Sequence, residues 1–141
     1  MIVAELRWTE SLGVGVPDID EQHRELIERI NSLRVAMGQG RSREEIRETI
    51  RFLEDYVVEH FTAEEQYMLV SDYPYATMHK AEHTAFIRDF AAIKEKLERL
   101  ERDGMITSFA AIETQRKLSD WLVNHIGKSD KVLGAYLSSL G

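Results

Sequence analysis

His79-Lys80-Ala81-Glu82-His83 is the stretch on which the reading of the fold turns. Two histidines four residues apart share one face of a helix, with about 5–6 Å between their Cβ atoms, so both imidazoles can reach one metal ion. His60-Phe61-Thr62-Ala63-Glu64 repeats the spacing with a carboxylate as second member. Further along, His125 and Asp130 are five apart, which on a continuous α-helix would set them about 140° from each other. Gly127 lies between them. The expectation is that the helix ends there and the chain turns Asp130 back inward.

Around these stretches the sequence is helical. From about Asp20 to Met37, Leu26, Ile27, Ile30, Leu33 and Met37 recur at spacings of three and four, the helical period. Gly38 and Gly40 stop it. Ser42 is placed to cap a second helix, with Glu45 at the capping-box position. That helix carries Ile46, Ile50, Leu53, Val57, Phe61 and Met68 on one stripe. After the turn cluster Ser71-Asp72-Tyr73-Pro74, a third helix runs from about Tyr75 to Arg102, with Phe86, Phe90, Ile93 and Leu97 inward. Asp103-Gly104 closes it. Thr107 or Ser108 opens a fourth helix containing Phe109, Ile112, Leu118, Trp121 and Leu122, and Val132 to Leu140 reads as a short last helix. Residues 1–19 hold Gly13, Gly15 and Pro17 without a sustained period, and read as an extended arm, with Asp18 or Asp20 as helix cap.

Long helices with short connections favour antiparallel neighbours. The expected fold is therefore all-α: an antiparallel up-down four-helix bundle with an N-terminal extended arm and a short C-terminal helix. A chain of 141 residues suits one such domain over 1–141.

Composition narrows the function. The net charge of -7 argues against a nucleic-acid partner. There is no cysteine, which removes disulfides, iron–sulfur clusters and thiolate zinc sites together. No stretch approaches the roughly 18 apolar residues of a membrane span, and the N-terminus lacks the pattern of a secretory signal. The expectation is a cytoplasmic protein without membrane insertion, and a monomer.

The five histidines, His23, His60, His79, His83 and His125, fall on all four long helices. One histidine on an amphipathic helix is ordinarily a surface or satisfied core residue. Here none is left over, and two are paired with carboxylates. Five imidazole nitrogens and the carboxylates of Glu64 and Asp130 exceed what one transition ion takes. They suit two ions bridged by two carboxylates, with oxygen-type bridges and one open position completing the shells. By helical spacing, Leu26 sits three after His23, Phe61 follows His60, and Trp121 and Leu122 lie four and three before His125. These four should flank that open position with apolar surface, which excludes solvent.

The ordered set resembles the hemerythrin family, in its bacterial single-domain form. It runs through Asp18-Ile19-Asp20-Glu21-Gln22-His23, His60-Phe61-Thr62-Ala63-Glu64-Glu65, His79 with His83, and Trp121-Leu122-Val123-Asn124-His125-Ile126 with Asp130. Trp8 ahead of the Gly-Val-x-x-Ile-Asp segment is similar too. The resemblance implies two iron ions as cofactor. His79, His83 and His125 would bind one, and His23 and His60 the other, which keeps a vacant position. Glu64 and Asp130 would bridge them together with an oxo or hydroxo group. Glu65, turned about 100° from Glu64, is not assigned to iron.

The function so implied is reversible dioxygen binding, as carrier or store, with oxygen held as a hydroperoxide on the two-histidine iron. An oxygen-consuming enzyme would be the acceptor. A ferroxidase or oxygenase of the ferritin type would use Glu-x-x-His pairs. The residues three before the histidines are Asp20, Val57, Ala76, Lys80 and Leu122, and none is Glu. The alternatives are an oxygen or redox sensor, although the metal pattern spans 23 to 130 and leaves no room for an output domain, and a di-iron peroxidase or nitric-oxide-related enzyme.

Overall fold

The computed structural model describes residues 7–39, 43–105 and 108–140. Five helices follow in order: α1 (Pro17–Gly38), α2 (Arg43–Val70), α3 (Ala76–Arg102), α4 (Ser108–His125) and α5 (Lys131–Ser139). A 3₁₀ turn, Glu10–Leu12, interrupts the arm, and a π-helical turn, Ile126–Asp130, lies between α4 and α5. Among the described residues there is no strand. The four long helices form the bundle expected from the spacing.

Each helix turns one stripe inward, and the histidines belong to these stripes. On α1 the buried positions include Ile19, His23, Leu26, Ile27, Ile30, Leu33 and Met37. On α2, Ile46, Ile50, Leu53 and Val57 run on into His60, Phe61, Glu64 and Met68, all buried. On α3, His79 and His83 precede Phe86, Phe90 and Leu97. Polar ligand-type residues thus occupy one end of the core and aliphatic ones the rest. Helices α1 and α2, α2 and α3, and α1 and α4 pack as neighbours. Across the remaining side, the Phe86 and Trp121 rings bring α3 and α4 together at 3.8 Å between centroids.

Helix α1 starts at Pro17, three residues before the expected Asp20. Proline at the first helical position loses nothing by lacking an N–H, and Val16 precedes it without a side-chain cap. Asp18 and Asp20 lie in the first turn instead of capping it. Asp20 Oδ1 accepts the Val14 N–H at 2.8 Å and ties down the arm. Asp18 Oδ2 accepts the Tyr67 hydroxyl at 3.1 Å and joins α1 to α2. The cap expected at Ser42 lies outside the described residues, as does Thr107. Helix α3 ends as Asp103-Gly104 suggests. Gly104 has φ 68°, its N–H bonds to Glu101 O, and the Met105 N–H bonds to Leu100 O, the paired closure of a left-handed glycine terminus.

The largest departure from expectation is at Gly127. The helix does not stop there. It widens into the π turn and continues as α5. The Lys131 N–H bonds to Ile126 O, five residues back. Such i→i+5 bonding absorbs one extra residue per turn, so positions five apart come onto one face without a break. Asp130 is carried inward by this widening, not by a chain reversal.

Helix α5 is held at both ends of its contact. The Tyr136 hydroxyl donates to Ser71 O at 2.8 Å, clamping the α2–α3 connection. Gly134 is buried, and a Cβ there would fall on the Val14 carbonyl. The arm therefore lies directly across α5, at a position that only glycine permits.

Candidate metal centre

The five histidines, Glu64 and Asp130 meet in one buried cluster, none more than 6% exposed. Their donor atoms form two groups. Glu64, His79, His83, His125 and Asp130 make one, and His23, His60, Glu64 and Asp130 make the other, with all donors of a group within 4.8 Å of one another. Both carboxylates belong to both groups. Glu64 presents Oε1 to His83 Nε2 at 2.9 Å and to His79 Nε2 at 3.2 Å. It presents Oε2 to His60 Nε2 at 3.1 Å and to His23 Nε2 at 3.4 Å. Asp130 divides its oxygens the same way: Oδ1 faces His79 and His125 at 3.0 Å, and Oδ2 faces His23 at 2.9 Å.

The local helical geometry explains the convergence. His60 and Glu64 are four apart on α2, and His79 and His83 four apart on α3, so each pair stacks on its helix's inner stripe. The π turn brings the pair His125 and Asp130 into the same relation at a spacing of five.

Charge and hydrogen bonding mark the cluster as a cation site. The Nε2 atoms of His23, His60 and His125, Oε2 of Glu64 and both Asp130 oxygens are buried without a hydrogen bond. Lone pairs of buried nitrogen and oxygen aimed at a common space, with no donor between them, are costly unless a positive charge sits there. Burial lowers the proton affinity of His23, but the Asp130 and Glu64 carboxylates outweigh it and raise the imidazole to about 9. His79 likewise reaches about 9 and His125 about 10. Burial and the Glu64 charge push the Asp130 carboxyl up, yet the close imidazoles of His125, His23 and His79 hold it below its ordinary value. Glu64 is also held low, by His60, His125 and His23 against burial. The site attracts positive charge, whether as protons or as metal ions. Mixed imidazole and carboxylate donors suit a borderline transition ion such as iron, and the cluster fits a di-iron site.

A second layer of contacts was not assigned from the sequence. His60 Nδ1 donates to Gln22 Oε1 at 2.7 Å. His83 Nδ1 donates to Glu65 Oε2 at 3.1 Å. His125 Nδ1 faces Glu82 Oε2 at 3.5 Å. Partners of this kind fix ring orientation and tautomer. They follow a rule: Gln22 precedes His23, Glu65 follows Glu64, and Glu82 precedes His83, and each serves a histidine on the next helix. The adjacency was visible in the sequence. Which helix each side chain would reach was not, because that depends on the order of helices around the bundle. Glu65 does point away from the donor cluster, as its rotation from Glu64 suggests.

Leu26, Phe61, Trp121 and Leu122 line one internal cavity, together with Phe86 and Leu118 among others. Its room is about 10 Å³, at the threshold for a single water-sized molecule, about 10–15 Å³. Every lining residue is aliphatic or aromatic. Phe61 stacks on the His83 ring at 3.8 Å between centroids and 8° between planes. Trp121 stacks on His125 at 4.6 Å and 15°. The pocket wall is thus in contact with rings of the three-histidine group, while Phe61 lies 5.8 Å from the His60 ring of the other. A larger groove of about 740 Å³ opens at the surface beside His79, between Tyr75, Met78 and Val132.

Comparison with known proteins agrees with this geometry. Residues 14–137 match the Hemerythrin HHE cation binding domain, and the chain belongs to the hemerythrin family. Within it, the chain is similar to the bacteriohemerythrin of Methylococcus capsulatus, 35% identical over 138 residues, 97% of this chain and 100% of that one. The bacteriohemerythrin of Stenotrophomonas maltophilia is 34% identical over 129 residues, 92% of this chain and 79% of its own. Among solved structures, a wild-type hemerythrin superposes with a TM-score of 0.79 at 34% identity, covering 96% of this chain and 99% of its own. No described helix is long and apolar enough to cross a membrane.

Proposed function

We propose that the chain binds dioxygen reversibly at a di-iron centre. His79, His83 and His125 would hold one iron, His23 and His60 the other, and Glu64 and Asp130 would bridge them with an oxo or hydroxo group. The observation that carries this reading is the inequality of the two donor groups. They share the same two carboxylates, yet one has three histidines and the other two. The poorer group keeps a position for an outside ligand, and an apolar cavity the size of a small molecule adjoins the centre.

Two ferrous ions held there would supply the electrons that dioxygen takes up on binding. The chain's own residues do the rest. Glu64 and Asp130 hold the two sites at a common spacing. The aromatic and aliphatic cavity excludes water, which protects a bound oxygen from protons and release as peroxide. None of the protein donors is free to act as an acid or base once bound to metal, which suits a carrier better than an enzyme. The relatives that carry the name bacteriohemerythrin support the reading.

The test is optical. The iron-loaded protein is reduced, exposed to oxygen, and then returned to low oxygen pressure while its visible charge-transfer absorption is followed. A band that rises and falls with pressure is the expected result. Permanent oxidation with no reversible band would replace the carrier reading with a redox or enzymatic one.

A further inference from the structure

We propose that Glu65 and Gln22 are positioning residues that set unequal reduction potentials at the two metal positions, a proposal that rests on the two-iron reading above. The outward nitrogens carry the argument. In the three-histidine group, His83 Nδ1 donates to the Glu65 carboxylate at 3.1 Å, and His125 Nδ1 faces the Glu82 carboxylate at 3.5 Å. In the two-histidine group, His60 Nδ1 donates to the neutral amide oxygen of Gln22 at 2.7 Å. His23 Nδ1 is buried without a hydrogen-bond partner. Among the described contacts, carboxylates therefore face outward nitrogens of the three-histidine group, and none faces one of the two-histidine group.

A carboxylate accepting the outward N–H makes the imidazole a stronger electron donor through its inner nitrogen. Such a charge-assisted bond is roughly twice as strong as one to a neutral amide. A stronger donor stabilises the ferric ion. The three-histidine position is thereby favoured for the higher charge, and the two-histidine position for the ferrous ion. The first electron withdrawn by a soluble one-electron mediator leaves the three-histidine iron, Fe²⁺ becoming Fe³⁺. The second leaves the other iron at higher potential. The position with room for an outside ligand is thus the one kept reduced longest.

The test exchanges the two partners while keeping both hydrogen bonds. Glu65→Gln retains an acceptor for His83 and removes its charge. Gln22→Glu adds a charge behind His60. Iron content is counted first, and a mediated spectroelectrochemical titration then resolves the two one-electron steps, with Mössbauer spectra assigning each to its iron. The expected result is that Glu65→Gln raises the potential of the three-histidine iron and Gln22→Glu lowers that of the other. Each should change the constant for electron sharing between the irons about tenfold, equivalent to about 59 mV for a one-electron couple. A purely structural role would alter metal content or stability without moving either step in these directions. Variants that hold two irons with both potentials unmoved would overturn the proposal. So would loss of iron in Glu65→Gln that Glu65→Asp, which restores the charge, does not recover. A wild-type chain that fails to hold two irons would instead remove the reading on which the proposal stands.

Discussion

His125 Nε2 lies 3.0 Å from Asp130 Oδ1, although the two are five residues apart on a helical path that does not break. The π turn makes this possible, and its extra residue can be taken out. Deleting Lys128, which is exposed, should return the segment to regular α-helix and set His125 and Asp130 four apart, the spacing of His60 and Glu64 on α2. Asp130 then keeps its place on the inner face and α5 its seat on the arm. The expected outcome is a protein with unchanged helicity by circular dichroism and its full iron content. Loss of iron would show that the widened turn does more than take up one residue.

Asp130→Asn and Glu64→Gln keep shape and remove charge from a bridging position. Loss of an outer partner of a metal ligand typically costs about 10–100-fold in metal affinity. A shared carboxylate acts on both ions, so each of these changes should cost more than that. Iron content after gel filtration reads it directly. Equal affinity in either variant would contradict a bridging role.

The metal-free protein should have a pH dependence that the loaded protein lacks. His23 and His79 are raised from 6.5 to about 9, and His125 from 6.5 to about 10. Groups raised on folding contribute stability that is complete below the unfolded value and is lost as pH climbs through the folded one. Without metal, the melting temperature should hold near pH 6 and decline between about 6.5 and 10. Iron replaces those protons, so the loaded protein should show little decline over the same window, and metal binding at pH 7 should release protons. Parallel melts with and without chelator test this. Coincident pH profiles would contradict it.

Phe61 is 3% exposed and stacks on His83. Phe61→Ala should cost about 3–5 kcal/mol of stability, as for other buried aromatic truncations. It should also enlarge the cavity beside the centre and admit water, so that oxidised protein accumulates faster in air. Phe61→Leu should keep most of both properties. Denaturant melts and the rate of spectral bleaching measure the two effects separately.

Gly134→Ala would place a methyl group on the Val14 carbonyl. Overpacking of this kind costs about 1–3 kcal/mol, and the strain falls on the seat of α5. Faster proteolysis within the arm is the expected sign. An unchanged melting temperature would mean that the arm shifts at no cost.

Much of this arrangement was legible in the sequence, for reasons that can be named. Helical period places His23, His60, Glu64, His79 and His83 on inner stripes, because each shares the spacing of its aliphatic neighbours. The same count brings Leu26, Phe61, Trp121 and Leu122 to one cavity, but its aromatic wall stacks on His83 and His125 of the three-histidine group and not on the two-histidine position where the spacing was expected to put it. The path from His125 to Asp130 was not legible. A helix of 3.6 residues per turn is the only ruler that periodicity supplies, and Gly127 looked like a terminator when it is one residue of a widened turn. Gln22, Glu65 and Glu82 were also missed as partners. Each lies next to a donor residue in sequence but serves another helix, and local spacing says nothing about that. The start of α1 is three residues earlier than the periodic stretch from Asp20, because Pro17 and the residues after it are helical without carrying the apolar period.

The contact between Val14 and Gly134 has a mechanical consequence. It lays the first described segment of the chain across the last helix, so a force applied through the two ends loads this junction directly. The rest of the bundle would bear that load only after the junction parts. Helix α5 would peel away first and draw Asp130 out with it, while α2 and α3 kept their places. The cluster would be dismantled under tension before the bundle unravels, with the arm acting as the clasp that keeps it closed.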